Sequence, residues 1–418
     1  MKKLYPVSLG CPKNKVDFEK LLALLLKRGF QITLDPEVAD VFWINTCAFI
    51  KPALQESIDH ILELGNLKKT YQKLIVSGCL TARYRDINLK ELFPEVDEFY
   101  DIEPYKYFSE NEPVERVLTE TPFYAYLKIT EGCSHSCSYC TIPQIRGPFR
   151  SKPLELLLSE AQNLIKIGIR ELILVGQDIT LYGKDLGMKE GLVFLLEKLS
   201  FLDIPRIRLL YLHPANLSLS LIRNLLGNPK VLPYFDLPIQ HAHPEILKKM
   251  RRPYGPEKIL NLIEEIRSLN PLACVRTTVM VGFPGETEKE FVFLLEFLQK
   301  VKFDYLGVFT FYPEEGTTGI KLPFQVSYKE KLRRKREVLK LQREISKERL
   351  FQRIGTLDEV LILGEKTSKS FYGISKFQAP QIDGLTYVKA KKNFFIPGEI
   401  VKVKIKKTSF YDLWAEAL

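Results

Sequence analysis

Long apolar runs are missing from this sequence of 418 residues. No stretch reaches the roughly 18 uninterrupted apolar residues that a membrane-spanning helix needs. The opening Met1-Lys2-Lys3-Leu4-Tyr5-Pro6-Val7 has no apolar segment of signal-peptide length ahead of Cys11. The chain is therefore expected in the cytoplasm, where thiols stay reduced. An even cysteine count is missing too. Seven cysteines in a reducing compartment argue against a disulfide framework and leave metal binding or catalysis as the default. There is no internal repeat or low-complexity tract. Apolar residues at 45% and charged residues at 27% are ordinary for a globular chain, which excludes fibrous and globally disordered classes. At about 100–200 residues per domain, the length implies about three domains.

The net charge of +10 is uneven. Between Tyr328 and Arg353, eleven Lys and Arg face four Glu, so this stretch alone carries +7. Its apolar residues recur at helical spacing, which predicts an amphipathic basic helix. Such a helix is either a solvated connector or an electrostatic footprint for RNA.

Three β-branched runs open the chain: Leu4–Leu9, Val41–Ile44 and Leu74–Val76. They lead into Gly10-Cys11, Asn45-Thr46-Cys47 and Ser77-Gly78-Cys79. Helix-like segments, Asp17–Arg28 and Pro52–Leu64, separate them, which predicts βαβ units and a parallel sheet. In such a sheet the residues after each strand converge on one edge, where ligands bind. Cys11, Cys47 and Cys79 should meet there.

From Phe123 to about Phe324 six further strands are expected: Ala125–Ile129, Glu171–Val175, Arg206–Tyr211, Tyr234–Leu237, Val275–Val281 and Tyr305–Phe311. Each precedes a polar or Gly/Pro-containing turn, among them Glu131-Gly132-Cys133, Gly176-Gln177-Asp178 and Gly282-Phe283-Pro284-Gly285-Glu286. Six units predict an open, partial (β/α)6 barrel with its site at the strand C-termini, and a doubly wound sheet is the alternative. Gly355–Leu418 contains five short alternating runs and reads as a small all-β barrel. The expected layout is an N-terminal parallel α/β domain (1–122), the partial barrel (123–326), a basic connecting helix (327–353) and the β-barrel (354–418).

Cys133-Ser-His-Ser-Cys137-Ser-Tyr-Cys140 is the strongest local signal. A closed structural zinc site needs four ligands, and no fourth cysteine follows nearby. His135, inside the three-residue spacer, is poorly placed to be that ligand. Three thiolates suit an iron–sulfur cluster with one iron open to substrate or cofactor.

This Cys-x-x-x-Cys-x-x-Cys after the first barrel strand, with Tyr139 before its last cysteine, resembles the signature of radical S-adenosylmethionine enzymes. Gly176-Gln177-Asp178 resembles the position that contacts the methionine amine, although it departs from the usual paired glycines and glutamate. The Gly282–Gly285 turn resembles the adenine-side motif. Adding Cys11, Cys47, Cys79 and the C-terminal β-domain, nearly the whole chain is similar to methylthiotransferases. Gly10-Cys11-Pro12-Lys13-Asn14, Asn45-Thr46-Cys47, Glu56-Ser57-Ile58-Asp59, Tyr211-Leu212-His213-Pro214, Phe235–His241 and Ala379-Pro380-Gln381-Ile382-Asp383-Gly384 resemble the branch that modifies an aspartate of the small-subunit ribosomal protein numbered twelve. The tRNA-modifying branch typically has Gln-Met in place of Pro12-Lys13. Phe18 and Gln381 depart from the family's usual serine and acidic residue.

The resemblance implies two 4Fe–4S clusters, one on Cys11, Cys47 and Cys79 and one on Cys133, Cys137 and Cys140. It implies S-adenosylmethionine held near Tyr139, Gln177, Asp178, Gln240, Gly282 and Gly285. It further implies a flavodoxin or ferredoxin as reductant and a TRAM-like substrate-binding domain at 354–418. No side chain is assigned as catalytic. Methylthiolation of a tRNA adenosine is one alternative function; a non-catalytic iron–sulfur protein that carries electrons or binds RNA is the other. Simpler roles exist for several residues: Cys274 as a buried thiol, His213 and His241 as pocket walls, Lys13 as a solvated charge, Tyr139 as loop packing and Glu286 as a helix N-terminal charge.

Overall fold

The computed structural model describes residues 1–367, 369–390 and 394–418. A five-stranded parallel sheet starts the chain, in the spatial order Gln31–Ile32, Lys3–Ser8, Val41–Thr46, Lys73–Gly78, Glu98–Tyr100. Its strands alternate between two apolar layers, as the two-residue period requires. Phe42, Ile44, Leu74 and Val76 pack with Ile61 and Leu64 of the helix Lys51–Leu67. Val41, Trp43 and Ile75 pack with Phe18, Leu21, Leu22 and Leu25 of the helix Pro12–Lys27. Phe18 is fully buried, so an apolar residue stands where a serine is usual. That first helix begins five residues before the expected Asp17, because Pro12 is preset for the first helical position. The strand order reverses between Lys3–Ser8 and Val41–Thr46, the place where open α/β sheets take ligands.

The central strands form two parallel triplets. Tyr124–Lys128, Glu171–Val175 and Arg206–Leu209 make one; Tyr234–Gln240, Cys274–Val281 and Tyr305–Thr310 make the other. They meet where Ile207 bridges Val231 and where the Leu212 amide donates to the Asp236 carbonyl at 2.9 Å, which gives an open six-stranded barrel. Six helices, from Leu154–Lys166 to Glu288–Val301, bury its outer face. The turn expected at Glu131-Gly132-Cys133 is partly strand: Thr130–Glu131 pairs with Arg150–Ser151 and ties the cysteine loop across its base. Two residues per strand are too few to show a period.

Residues 357–417 form a closed five-stranded barrel that plugs the open inner face of the central one. Arg206 donates to the carbonyls of Glu359 (2.6 Å) and Ile374 (3.3 Å), and Arg208 to those of Ser375 and Lys376 (both 3.1 Å). Both lie near the N-terminal ends of the central strands, away from the cysteines. Cys274, fully buried, belongs to this seam. The basic helix Tyr328–Phe351 is a packed strap: Arg334 bonds Glu286, and Arg349 bonds Asp304, as does Arg353 just beyond it. Three of the eleven cations in this stretch are therefore spent on internal pairs. No helix among the described residues is long and apolar enough to cross a membrane.

Within Ala379–Gly384, Gln381 and Ile382 are exposed, while the Asp383 carboxylate faces inward. Asp383 accepts from Tyr234 Oη (2.6 Å) and the Ala379 amide (2.8 Å) and lies 3.6 Å from Arg276. Burial, opposed by Arg276, pushes its carboxyl up to about 6. The folded chain then binds more protons than the unfolded one between about pH 4 and pH 6, so this group's contribution to stability falls as pH rises through that window. Asp383→Asn keeps an acceptor and never ionises. It should raise the melting temperature by a few degrees at pH 8 and change it little at pH 4. An equal difference at both pH values would contradict this assignment.

Candidate active site with two cysteine triads

Cys11, Cys47 and Cys79 each follow a strand of the N-terminal sheet and come together at its C-terminal edge. Gly10 makes the approach possible: its φ is +89°, and a Cβ there would lie 2.7 Å from Cys47 Cβ. Asn14 splints the loops by donating to the carbonyls of Leu9 (2.9 Å) and Thr46 (3.0 Å). Ser57 Oγ accepts from the Cys47 amide at 3.0 Å and donates to the Cys47 carbonyl at 2.7 Å. The Asn14 and Ser57 motifs thus hold the cysteine loops rigid. Burial raises the Cys47 thiol to about 12, with Cys79 adding to the effect, and burial also raises Cys79. For Cys11, burial is outweighed by the nearby cations Lys13 and Arg146, and its thiol is lowered.

Cys133, Cys137 and Cys140 lie on the loop between Thr130–Glu131 and the short helix Ile142–Arg146. The loop is pinned by its main chain. The Cys133 amide donates to the Gly147 carbonyl (3.0 Å) and the Ser138 amide to the Met250 carbonyl (3.2 Å). Tyr139 packs against Ile246, Met250, Phe283 and Phe311, tying the loop to the Gly282–Gly285 turn. Glu286 braces that turn, accepting from the amides of Gly282 (2.8 Å) and Phe283 (3.2 Å). This differs from a helix N-terminal charge, since Thr287 caps the helix that follows. Gly282 has φ +72°, and a Cβ there would lie 2.2 Å from Lys331 Cγ.

His135 does point inward. Its Nε2 lies 2.7 Å from Asp178 Oδ2, and its ring stacks on His213 with centroids 4.2 Å apart. Asp178 also accepts from the Thr180 amide (3.0 Å) and Asn216 Nδ2 (2.8 Å), so its carboxylate is committed to protein partners. Burial, with Arg252 beside it, lowers His213 to about 3 and keeps that ring neutral. Gln177 is the reverse case: both amide heavy atoms are buried without a partner. Gln240 ends its strand at φ +65°, and His241 Nε2 is likewise buried and unpartnered.

A buried ionic cluster that sequence reasoning missed ties the segment after the second triad to the first triad. Arg146, six residues beyond Cys140, places Nη2 3.7 Å from Cys79 Sγ and 3.2 Å from Asn14 Oδ1. Its Nη1 donates to Glu131 (3.0 Å) and Asp17 (3.2 Å). Lys128 bonds Asp17, Glu131 and Glu103. Burial works to raise Glu131, but Arg146 and Lys128 outweigh it and bring the carboxyl down to about 2. Removing one partner from such a buried set leaves an uncompensated charge, at a cost of about 3–5 kcal/mol. Arg83 and Glu314 make a second clasp between the domains at 2.8 Å.

The donor set discriminates between metals. Each triad supplies three free thiols, one short of the four ligands of a closed zinc site. Three thiolates suit an iron–sulfur cluster with one open iron, and the residues fit that group. The unpartnered Gln177 amide fits a polar cofactor beside the second triad.

Comparison with known proteins agrees with this architecture. Residues 127–298 match the radical SAM superfamily, 3–101 the Uncharacterized protein family UPF0004, and 354–418 the TRAM domain. The ribosomal protein uS12 methylthiotransferase RimO of Thermoanaerobacter sp. is 41% identical, with all of both chains covered. Its namesakes from Syntrophomonas wolfei (43%, 98% of each chain) and Geobacter sulfurreducens (42%, 100% of this chain and 98% of the other) are similarly close. Among solved structures, the radical S-adenosylmethionine methyltransferase TsrM from Kitasatospora setae shares the fold, with a TM-score of 0.55 and 13% identity over 74% of this chain and 73% of that one. Identity above 40% along essentially the full length places the chain in the RimO family of methylthiotransferases, within the radical SAM superfamily.

Proposed function

We propose that the chain replaces one hydrogen on the β-carbon of an aspartate in ribosomal protein uS12 with a methylthio group, using two 4Fe–4S clusters and S-adenosylmethionine. The observation that carries this reading is the buried contact from the loop after the second triad to the first: Arg146, six residues beyond Cys140, places Nη2 3.7 Å from Cys79 Sγ. A carbon that must lose a hydrogen atom and gain sulfur needs two centres facing one place, whereas an electron carrier has no such need. Cys11, Cys47 and Cys79 would hold one cluster, and Cys133, Cys137 and Cys140 the other. When bound, the cofactors supply what no side chain has: a radical able to take hydrogen from unactivated carbon, and the methylthio group.

The chain's own residues bind and orient. Gln177 offers its unpaired amide to a polar cofactor group. Asp178, already committed, acts by fixing His135 and Asn216. Tyr139, Gly282 and Gly285 shape the cofactor wall, and Gln240 closes the far strand. The reaction runs in the cytoplasm with electrons from a flavodoxin or ferredoxin.

Cells that carry the gene should contain uS12 heavier by one methylthio group at an aspartate, and deletion should return the unmodified mass. Mass spectrometry of the ribosomal protein from both strains tests this. An unchanged uS12 spectrum would sink the proposal.

A further inference from the structure

Lys13 is a buried cation without a carboxylate partner; the acidic groups that act on it are the Cys11 thiol and Tyr211. The residue is 7% exposed, and Nζ lies a long 3.4 Å from the Gly176 carbonyl and 3.7 Å from the centroid of the Tyr211 ring. Among the described residues no carboxylate pairs with it. The buried Lys20, Lys128 and Lys152 all meet carboxylates. Buried Lys331, which has no close acid either, makes a 2.8 Å bond to the Phe311 carbonyl. A charge taken out of water is costly unless it is paired. No carboxylate of this chain, among the described residues, neutralises Lys13, which leaves its ammonium available to one from a substrate.

Its position says where that substrate would lie. Lys13 follows Cys11 by two residues, yet its ammonium lies over the barrel, at the ends of two neighbouring strands. Gly176 directly follows Glu171–Val175, and Tyr211 lies two residues beyond Arg206–Leu209, in the left-handed region at φ +64°. Gln177, with its unpartnered amide, is next to Gly176. The ammonium thus stands on the seam between the two cysteine triads.

Resting on the proposed function, we infer that Lys13 binds the side-chain carboxylate of the substrate aspartate and so selects an acidic side chain over a neutral one. The carboxylate is bonded directly to the β-carbon, so gripping it fixes the carbon that reacts. The Tyr211 ring and the Gly176 carbonyl keep the ammonium in place before the substrate arrives. An adenine base offers no anion to this group.

The test uses full-length, cluster-loaded enzyme and fluorescently labelled uS12, either native or with the target aspartate changed to asparagine. Dissociation constants are read by anisotropy. Wild-type enzyme should bind the native protein about tenfold or more tightly than the asparagine form, as expected for a charge-assisted contact. Lys13→Met should weaken the native protein to the level of the asparagine form and leave the latter unchanged; Lys13→Arg should restore part of the preference. Iron content of each variant reports whether the cluster sites survive. Equal binding of the two substrates by wild type overturns the inference without any enzyme variant. So does an equal loss for both substrates in Lys13→Met, which would place Lys13 in support of the neighbouring triad. Native uS12 that neither binds nor is modified by wild type overturns the function on which the inference rests, and the inference with it.

Discussion

Changing Cys133, Cys137 and Cys140 together to alanine is expected to remove about half of some eight irons per chain and all production of 5′-deoxyadenosine from S-adenosylmethionine under dithionite. The iron that stays belongs to Cys11, Cys47 and Cys79, which hang from three strands of a different sheet. The loop itself should persist, because main-chain bonds at Cys133 and Ser138 and the packing of Tyr139 anchor it without help from sulfur. The loss is thus chemical, and the melting profile of the metal-free protein should move little. Iron at the full level, or zinc bound stoichiometrically, would contradict the assignment.

The complementary change has the opposite signature. With Cys11, Cys47 and Cys79 all alanine, reduced enzyme should still cleave S-adenosylmethionine yet form no methylthio product. His135, Asp178, His213 and Gln177 all sit at the barrel's strand ends, and Arg146 keeps Glu131 and Asp17 as partners when Cys79 Sγ is gone. Chromatography for 5′-deoxyadenosine beside mass analysis of the substrate separates the two readouts. Methylthio product from this variant would make the first triad structural, and loss of cleavage would mean that the two centres do not work independently.

The parts of this site that were legible from sequence are those a parallel sheet dictates. β-branched runs followed by cysteine put Cys11, Cys47 and Cys79 on one edge, and the same rule put Cys133 at the end of the first barrel strand. What was illegible is long-range and ionic. Arg146 and Asp17 are 129 positions apart, as Lys128 and Asp17 are 111, and no local pattern marks a charged residue that will be buried against a distant partner. The basic helix itself was legible, but its inward pairs were not: Arg334 and Arg349 look like solvent-facing charge until Glu286 and Asp304 arrive from elsewhere. Asp383 and its neighbours read as part of a substrate-domain motif, whereas Tyr234 and Arg276 bind the aspartate inside the molecule.

The central claim is methylthio transfer to a protein side chain. Its most direct test is to incubate anaerobically reconstituted enzyme with S-adenosylmethionine, a sulfide source and reductant, once with ribosomal protein uS12 and once with tRNA carrying isopentenyl-adenosine. The account predicts a mass gain of one methylthio group on an aspartate of uS12 and none on the tRNA. A gain on the tRNA alone would contradict it.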